Sequence, residues 1–452
     1  MNRDRLLFRV QAATLILLSL LLGSRSLPAQ QQEPIKPDIV VDTRLTERVT
    51  INIAVPPFER IGRSGFEQPF FSELIMNDLE MSGYFSPPSN PRFAAETQAL
   101  DQTRNRIHFA EWYRTGVTHL IKGRYEIQGD RLRVLVKTWD TAGGKYMFGK
   151  EYKNYKRGEA RRLAHRISDD IHEQILGTPG VASTELLFVR QLDDYGRDKQ
   201  IARMDADGKN IRALTNGGEL VATPCWGANG TEVYYTTWRD FNPDLEGMIL
   251  TSGQRWWVSR QAGFNLSPAW SPEHQLIALT LTKPGNSEIY TMNREGKQLR
   301  RITFNRAIDS SPVWSRDHRQ IAFTSNRSGT PQIWIMDVAT LQARRLTYNT
   351  NYCDGAAWSP AGPERIAYCG RVDDKFQIFT CNPDGSDVRQ LTNGPFNNEA
   401  PTWSPNGQIL AFESDQSGRK QIYTIFAADG SNRHQLTRQD ASHSPAWSPL
   451  YR

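Results

Sequence analysis

From residue 185 onward the chain alternates short apolar runs with polar, glycine-bearing turns. Gln275-Leu-Ile-Ala-Leu-Thr, Gln320-Ile-Ala-Phe-Thr-Ser, Arg365-Ile-Ala-Tyr-Cys and Ile409-Leu-Ala-Phe-Glu are too short for helices and are bounded by turn residues, which predicts strands. Each is preceded by a Trp-bearing segment: Pro224-Cys-Trp-Gly, Pro268-Ala-Trp-Ser-Pro, Pro312-Val-Trp-Ser, Ala356-Ala-Trp-Ser-Pro, Pro401-Thr-Trp-Ser-Pro and Pro445-Ala-Trp-Ser-Pro. The tryptophans (Trp226, Trp270, Trp314, Trp358, Trp403, Trp447) recur at intervals of 44, 44, 44, 45 and 44 residues. A polar loop, a third strand such as Gln332-Ile-Trp-Ile-Met-Asp, a tight turn such as Asp384-Gly, and a fourth strand ending in Leu-Thr or Ile-Thr complete each period. Four short strands per ~40–45 residues predict a propeller blade.

The strand count predicts how the ring closes. Residues 185–215 supply a second, third and fourth strand but no Trp-Ser-Pro strand, and the chain ends on a lone Trp-Ser-Pro strand. The terminal strand then completes the first blade and closes a ring of six blades over 184–452, where an open fan would leave unpaired edges. The second blade is irregular. Trp238 to Gly247 is expected to lengthen the loop between its second and third strands, a place where function concentrates on a rigid scaffold.

The first half has a different rhythm. Residues 50–56 alternate as a strand, and Phe71, Leu74, Ile75 and Leu79 fall at helical spacing over 70–82, with Gly83 as a stop. A short helix over 109–114 precedes strands over 117–127, 132–139 and 146–152, and an amphipathic helix spans 160–176. This predicts an α/β domain over 48–177, joined to the propeller through Gly177-Thr-Pro-Gly180. The fold class is therefore an α/β N-terminal domain followed by an all-β six-bladed propeller.

Residues 1–29 read as a secretory signal peptide, with Arg3, Arg5 and Arg9 before the apolar run Ala12–Gly23 and Ala29 before the cut. That run is shorter than the ~20 residues a membrane span requires. Residues 30–47 are polar and proline-bearing and predict a flexible arm. The remaining chain carries 51 basic and 48 acidic residues, too even a balance for neutralising nucleic-acid phosphate. One asymmetry remains: residues 114–183 hold 14 basic and 8 acidic residues, centred on Lys150–Leu163. That segment is expected to be the solvated face of a strand and a helix, with a basic docking patch as the alternative.

A search for chemistry finds little. G-x-S-x-G, Walker and G-x-G-x-x-G sequences do not occur, and His172-Glu173 lacks the second histidine of H-E-x-x-H. The four cysteines (225, 353, 369, 381) lack zinc spacing, and an oxidising compartment leaves room for one disulfide among the last three. Asp205-Ala-Asp207-Gly208 and Asp384-Gly resemble tight hairpin turns more than calcium loops. His274 and His318 occupy equivalent turns of different blades and are not expected to converge on a metal. The Trp rings are expected to pack between blades. No metal, cofactor or small-molecule substrate is expected, which leaves the propeller face as the working surface. Its rim is predicted to carry Asp309, Asp354, Glu399 and His443 before the Trp strands, with Asn326, Arg327, Arg371, Asp373 and Arg419 on the second-to-third-strand loops.

A leader, a small α/β domain and six P-x-W-S-P…I-Y-x-M-D-x-D-G…L-T blades closed by a terminal strand resemble the TolB family of the periplasmic Tol–Pal system over essentially the whole chain. The resemblance implies a non-enzymatic monomer. Its rim would bind the peptidoglycan-associated lipoprotein Pal, in support of outer-membrane integrity and envelope constriction during division. It also implies that the arm contacts TolA, carried here by Gln30, Glu33, Pro34, Ile35, Ile39, Val40 and Val41. The second blade departs from the family pattern in lacking both D-x-D-G and Leu-Thr. The competing expectations are an exported polysaccharide lyase or hydrolase, or a glycan-binding propeller.

Overall fold

The computed structural model describes residues 50–450 apart from 64, 67–69 and 284. The expected signal peptide and the arm with its residues Gln30 to Val41 lie outside the described residues.

The N-terminal region is a mixed sheet covered by helices. Its elements are β1 (Ile51–Ala54), β2 (Glu59–Ile61), α1 (Phe70–Met81), β3 (Phe85–Ser86), α2 (Pro91–Arg104), α3 (Phe109–Arg114), β4 (His119–Gln128), β5 (Arg131–Asp140), β6 (Lys145–Lys156) and α4 (Ala160–Leu176). The sheet order is β3-β1-β4-β5-β6, with β2 also paired to β4. One face buries Ile121, Tyr125, Val134 and Val136 against Phe71, Ile75 and Leu79 of α1 and Leu163, Ile167 and Ile171 of α4. The 3.6-residue spacing of those helical side chains is what made α1 and α4 legible.

Helix α2, by contrast, has no apolar stripe to announce it. It starts at an Asn90 cap that accepts from the Phe93 amide at 3.2 Å, with Pro91 in the first turn. It is held by a buried carboxylate. Asp101 accepts the Trp112 indole at 2.9 Å, the His108 amide at 2.8 Å and the Lys122 ammonium at 3.1 Å.

The second region forms six four-stranded blades. Blade 1 is ordered Ser442–Trp447, Glu185–Gln191, Lys199–Asp205, Arg212–Ala213, so the terminal strand closes the ring as its innermost member. Ser442 pairs Arg190 and Trp447 pairs Leu186. The Trp rings lie between blades as expected. Trp226, Trp314 and Trp403 donate their indole N–H to the carbonyls of Ala446, Ala269 and Ala357, each on the first strand of the preceding blade. The Leu-Thr ending also has a physical reason. In five blades the threonine hydroxyl accepts the amide that opens the third strand, as from Ile201, Ile289, Ile333, Ile378 and Ile422 at 2.8–3.0 Å.

Two expectations are corrected, on the blade 2 loop and on the cysteines. Blade 2 has no lengthened loop. Asp244-Leu-Glu-Gly is the start of its third strand (Asp244–Ile249), and the connection 238–243 is as long as 326–331 in blade 4. Leu245 and Met248 are buried there, and Gly247 is required because a Cβ would lie 2.5 Å from Trp256. Where blade 2 lacks its threonine, Ser259 and Asp244 bond to the buried Asn265 instead. The cysteines are free thiols, with Cys353, Cys369 and Cys381 buried, and no disulfide joins them. His274 and His318 stand on equivalent turns, and because adjacent first-to-second turns lie side by side the two residues touch. His274 Nε2 is 2.8 Å from the His318 carbonyl, and the rings are 6.3 Å apart. Lys150–Leu163 is largely the solvated face that was expected, with Lys150, Lys153, Lys156, Arg157 and Arg162 exposed. Lys150 pairs with Asp170, and Arg161 crosses to the propeller to hold Asp205 at 2.7 Å together with Asp207.

That crossing belongs to a seat which fixes the two regions together. The linker folds back on α4. Asp169 accepts the Ala182 and Ser183 amides at 2.7 and 3.0 Å, and Gly180 leaves room for Asp169 that a Cβ would fill. Asn406 donates to the Pro179 carbonyl, Asn432 donates to the Glu80 and Met81 carbonyls, and Tyr84 stacks edge-on against Phe426. All these propeller groups lie on first-to-second or third-to-fourth turns of blades 6 and 1, or beside them. The α/β region therefore occupies that face and leaves the other face open. At the centre of the seat, Asp78, His165 and Asp207 form the group of donor atoms compact enough for a cation among the described residues. Arg161 and the protonated His165 supply that charge. Burial pulls the His165 pKa down, but Asp205 and Asp78 outweigh it and raise it to about 10.

Two outcomes follow. Deleting 444–452 is expected to abolish the cooperative melt of the propeller, and Trp447→Ala to cost about 3–5 kcal/mol, both read by calorimetry. The His165 pKa is raised on folding from ~6.5, so its contribution is complete below that value and is lost as pH climbs through about 10. Denaturation midpoints should fall over that alkaline window, and His165→Gln should flatten the fall.

Candidate partner-docking face

The open face is built by two loop sets, the interblade connections and the second-to-third-strand connections. Each innermost strand bends as it leaves this face. The residue three before each Trp has positive φ: Thr223 47°, Ser267 52°, Ser311 53°, Gly355 64°, Ala400 51° and Ser444 53°. At each site the pairing slips, forming a β-bulge in every blade. The bend turns backbone amides out of the ladder toward the neighbouring blade. Ser311 donates to Thr280 Oγ1 at 3.1 Å, and Ser444 donates to Glu413 Oε2 at 2.6 Å.

Just before these bulges stand Ala222, Leu266, Ser310, Asp354, Glu399 and His443, one per blade. Charge therefore gathers on the side of blades 5, 6 and 1. Lys420 bridges Glu399 at 3.0 Å and the buried Glu413. Burial holds the His443 pKa down at about 4, against the pull of Glu413, so the ring is neutral at neutral pH. Asp354 accepts from the Thr324 hydroxyl at 2.7 Å and the Gly355 amide at 2.6 Å. Burial, with Asp354 and Glu399 adding to it, pushes the Cys369 thiol pKa far up, which keeps it protonated and inert.

The structure thus brings Asp354, Glu399 and His443 to one side of the mouth. The other predicted residues are placed differently. Asp309 is fully buried and carries no surface; Arg327 holds it at 2.7 Å and Asn305 at 2.6 Å. Asn326 accepts the Ile308 amide at 2.8 Å, so Asp309, Asn326 and Arg327 brace two loops under the rim. Arg371 and Asp373 sit on the exposed hairpin tip of blade 5, where Arg371 pairs with Asp374. Arg419 reaches Asp194 of blade 1 at 3.7 Å.

Sequence reasoning missed Lys420 and Glu413, and above all the apolar content of this face. Ten large apolar side chains of the propeller are exposed among the described residues, and nine project from the two loop sets. Leu192, Tyr195 and Phe241 are on second-to-third-strand loops; Leu220, Phe264, Phe304, Ile308, Tyr348 and Phe396 are on interblade loops. Phe241 is 98% exposed and Tyr195 84%. Concentration of apolar groups on one face marks an interaction surface. A signal was available in Phe304 and Tyr348, each an aromatic directly after the blade-ending threonine.

A family model described as the TolB beta propeller domain matches residues 172–451, and one described as the TolB amino-terminal domain matches 39–147. The chain belongs to the TolB family. The Tol-Pal system protein TolB of Gluconobacter oxydans is 35% identical over 431 residues, covering 92% of this chain and 89% of that protein. That of Desulfosudis oleivorans is 31% identical over 258 residues, 56% of this chain and 57% of the relative. The crystal structure of TolB from Acinetobacter baumannii superposes with a TM-score of 0.77 at 23% identity, covering 89% of this chain and 97% of that one, which shows the shared fold. Membership places the chain among Tol–Pal proteins rather than among propeller lyases or hydrolases.

Lys420 separates two carboxylates, one of them buried, so Lys420→Met is expected to destabilise the protein by about 1–3 kcal/mol in urea titrations. Adding Glu413→Gln should restore most of the loss.

Proposed function

We propose that this chain is a non-enzymatic periplasmic adaptor of the Tol–Pal system, acting as a monomer. Its open propeller face would bind the lipoprotein Pal, and its N-terminal arm would engage TolA, linking outer-membrane integrity to envelope constriction during division. Membership of the Tol–Pal system rests on the family. The observation that supports the Pal surface is that, of the propeller's ten exposed large apolar side chains among the described residues, nine lie on the face opposite the α/β region. Asp354, Glu399 and Lys420 add a charged sector on one side, and His443 a neutral ring beside it. Aromatic anchors ringed by polar groups are the usual source of binding energy at a protein interface.

Arm residues Gln30, Glu33, Pro34, Ile35, Ile39, Val40 and Val41 would serve TolA, and export through the leader 1–29 would place the chain in the periplasm.

The test is calorimetry of residues 30–452 against Pal from the same organism. One-to-one binding is expected, weakened at least tenfold, or ~1.4 kcal/mol, by Phe241→Ser with Phe304→Ser and by Glu399→Lys. His443→Ala should weaken it less, since that ring is partly covered and neutral. Removal of 30–41 should leave Pal binding intact and abolish TolA binding. Absence of binding to folded Pal would refute the reading.

A further inference from the structure

The positive excess over 114–183 divides into two populations. Lys150, Arg161 and Arg166 are spent on Asp170, Asp205 and Asp207. Lys122, Arg124 and Lys137 instead stand on the outward face of β4 and β5, away from the helices α1 and α4 that pack the inner face. Lys122 lies directly across from Lys137 in the ladder. Like charges so placed cost stability, and of this pair only Lys122 has an acid to offset it among the described residues, the Asp101 carboxylate at 3.1 Å.

With Arg60 of β2 and Arg106 beyond α2, these residues line a groove of about 940 Å³. Its two acids do not cancel the charge. Asp101 is already shared among Trp112, His108 and Lys122. Glu59 is one carboxylate against several cations, and no ion pair under 4 Å joins Arg60, Arg124 or Lys137 to an acid among the described residues. Apolar side chains stand on either side of Lys137 along β5. Leu135 and Trp139 line the groove, Trp139 meets Tyr146 edge-on at 6.2 Å, and the exposed Tyr146 and Met147 continue the surface along β6.

We propose that this groove docks an extended acidic peptide segment of a partner protein, anchored by an apolar residue on the Trp139–Tyr146 edge. Lys122 and Arg124 are two residues apart on one strand, a separation of about 6.6 Å. That matches alternate side chains of an extended chain laid along β4. Cations spread over a pleated surface suit a row of carboxylates; a single phosphate would be better held by converging amides at one point. The groove is open to water, so its contribution lies in steering and register and weakens with salt. It belongs to the α/β region and does not depend on the Pal surface.

The experiment is fluorescence anisotropy of residues 30–452 with a fluorescein-labelled peptide of alternating Glu and Leu carrying one Trp. Saturable binding is expected, lost on replacing the glutamates by lysine and weakened at least about tenfold by Arg124→Glu with Lys137→Glu. Arg419→Glu, on the propeller, should leave it unchanged. Lys137→Gln should weaken binding while melting no lower than the parent, because it removes a like-charge pair. Absence of binding, or equal binding by the charge-reversed chain, would overturn the proposal. So would charge-dependent binding of phosphatidylglycerol vesicles without binding of the peptide, which would assign the groove to a membrane surface.

Discussion

The architecture depends on one strand pairing, which joins the last strand of the propeller to its first. Without Ser442–Trp447 paired to Glu185–Gln191, blade 1 would present an unpaired edge over a buried apolar surface, and the ring would be open. The same short strand reaches three other parts of the molecule. Trp447 donates to Thr184 at 2.8 Å, at the end of the linker, so closure is felt where the α/β region joins. Blade 1 carries Asp205 and Asp207, which Arg161 of α4 holds. His443 and Ser444, at the other end of the strand, form part of the mouth. Closure, domain seating and the shape of the docking face are therefore not independent, and a loss at 442–447 would be felt in all three.

The division of labour between the faces follows from this seat. The α/β region uses the turns of blades 6 and 1 on one side, with hydrogen bonds to its own backbone carbonyls and a buried ionic knot. Buried charge of that kind is poor evidence of stability, but it fixes one arrangement, since each carboxylate is matched by a cation in one relative placement only. Among the described residues the opposite face has no such cover. There the loops braced from below by Asp309, Asn326 and Arg327 hold up Phe304 and Ile308.

What was legible in the sequence was whatever repeats or has a period. Six tryptophans at a fixed interval disclosed the blades, the missing first strand disclosed the closure, and the helical spacing of Phe71, Ile75 and Leu79 disclosed α1. Helix α2 escaped because its buried stripe is Ala94, Thr97 and Asp101, which reads as polar. The blade 2 loop was misread because Asp244 and Glu246 look like solvent-facing residues, although both are buried and paired with arginines. The rim was read by charge alone, and charge does not distinguish Asp309, buried under Arg327, from Asp354 at the mouth. Which charges meet is set by elements that lie apart in sequence, as with Arg161 of α4 and Asp207 of blade 1, and no local pattern carries that information.

The mouth itself is asymmetric, and the asymmetry is organised. Blades 2 to 4 offer Ala222, Leu266 and Ser310 before their bulges, and most of the exposed aromatics rise from the loops around them. Blades 5, 6 and 1 offer Asp354, Glu399 and His443, with Lys420 set among carboxylates. A partner seated on this face would meet an apolar half that can supply desolvation energy and a polar half that can fix its rotation about the channel. A six-fold scaffold otherwise presents nearly equivalent blades, and apolar contacts alone would not distinguish one rotation from the next. The charged sector breaks that near-symmetry, and it does so beside the terminal strand, where the ring is closed.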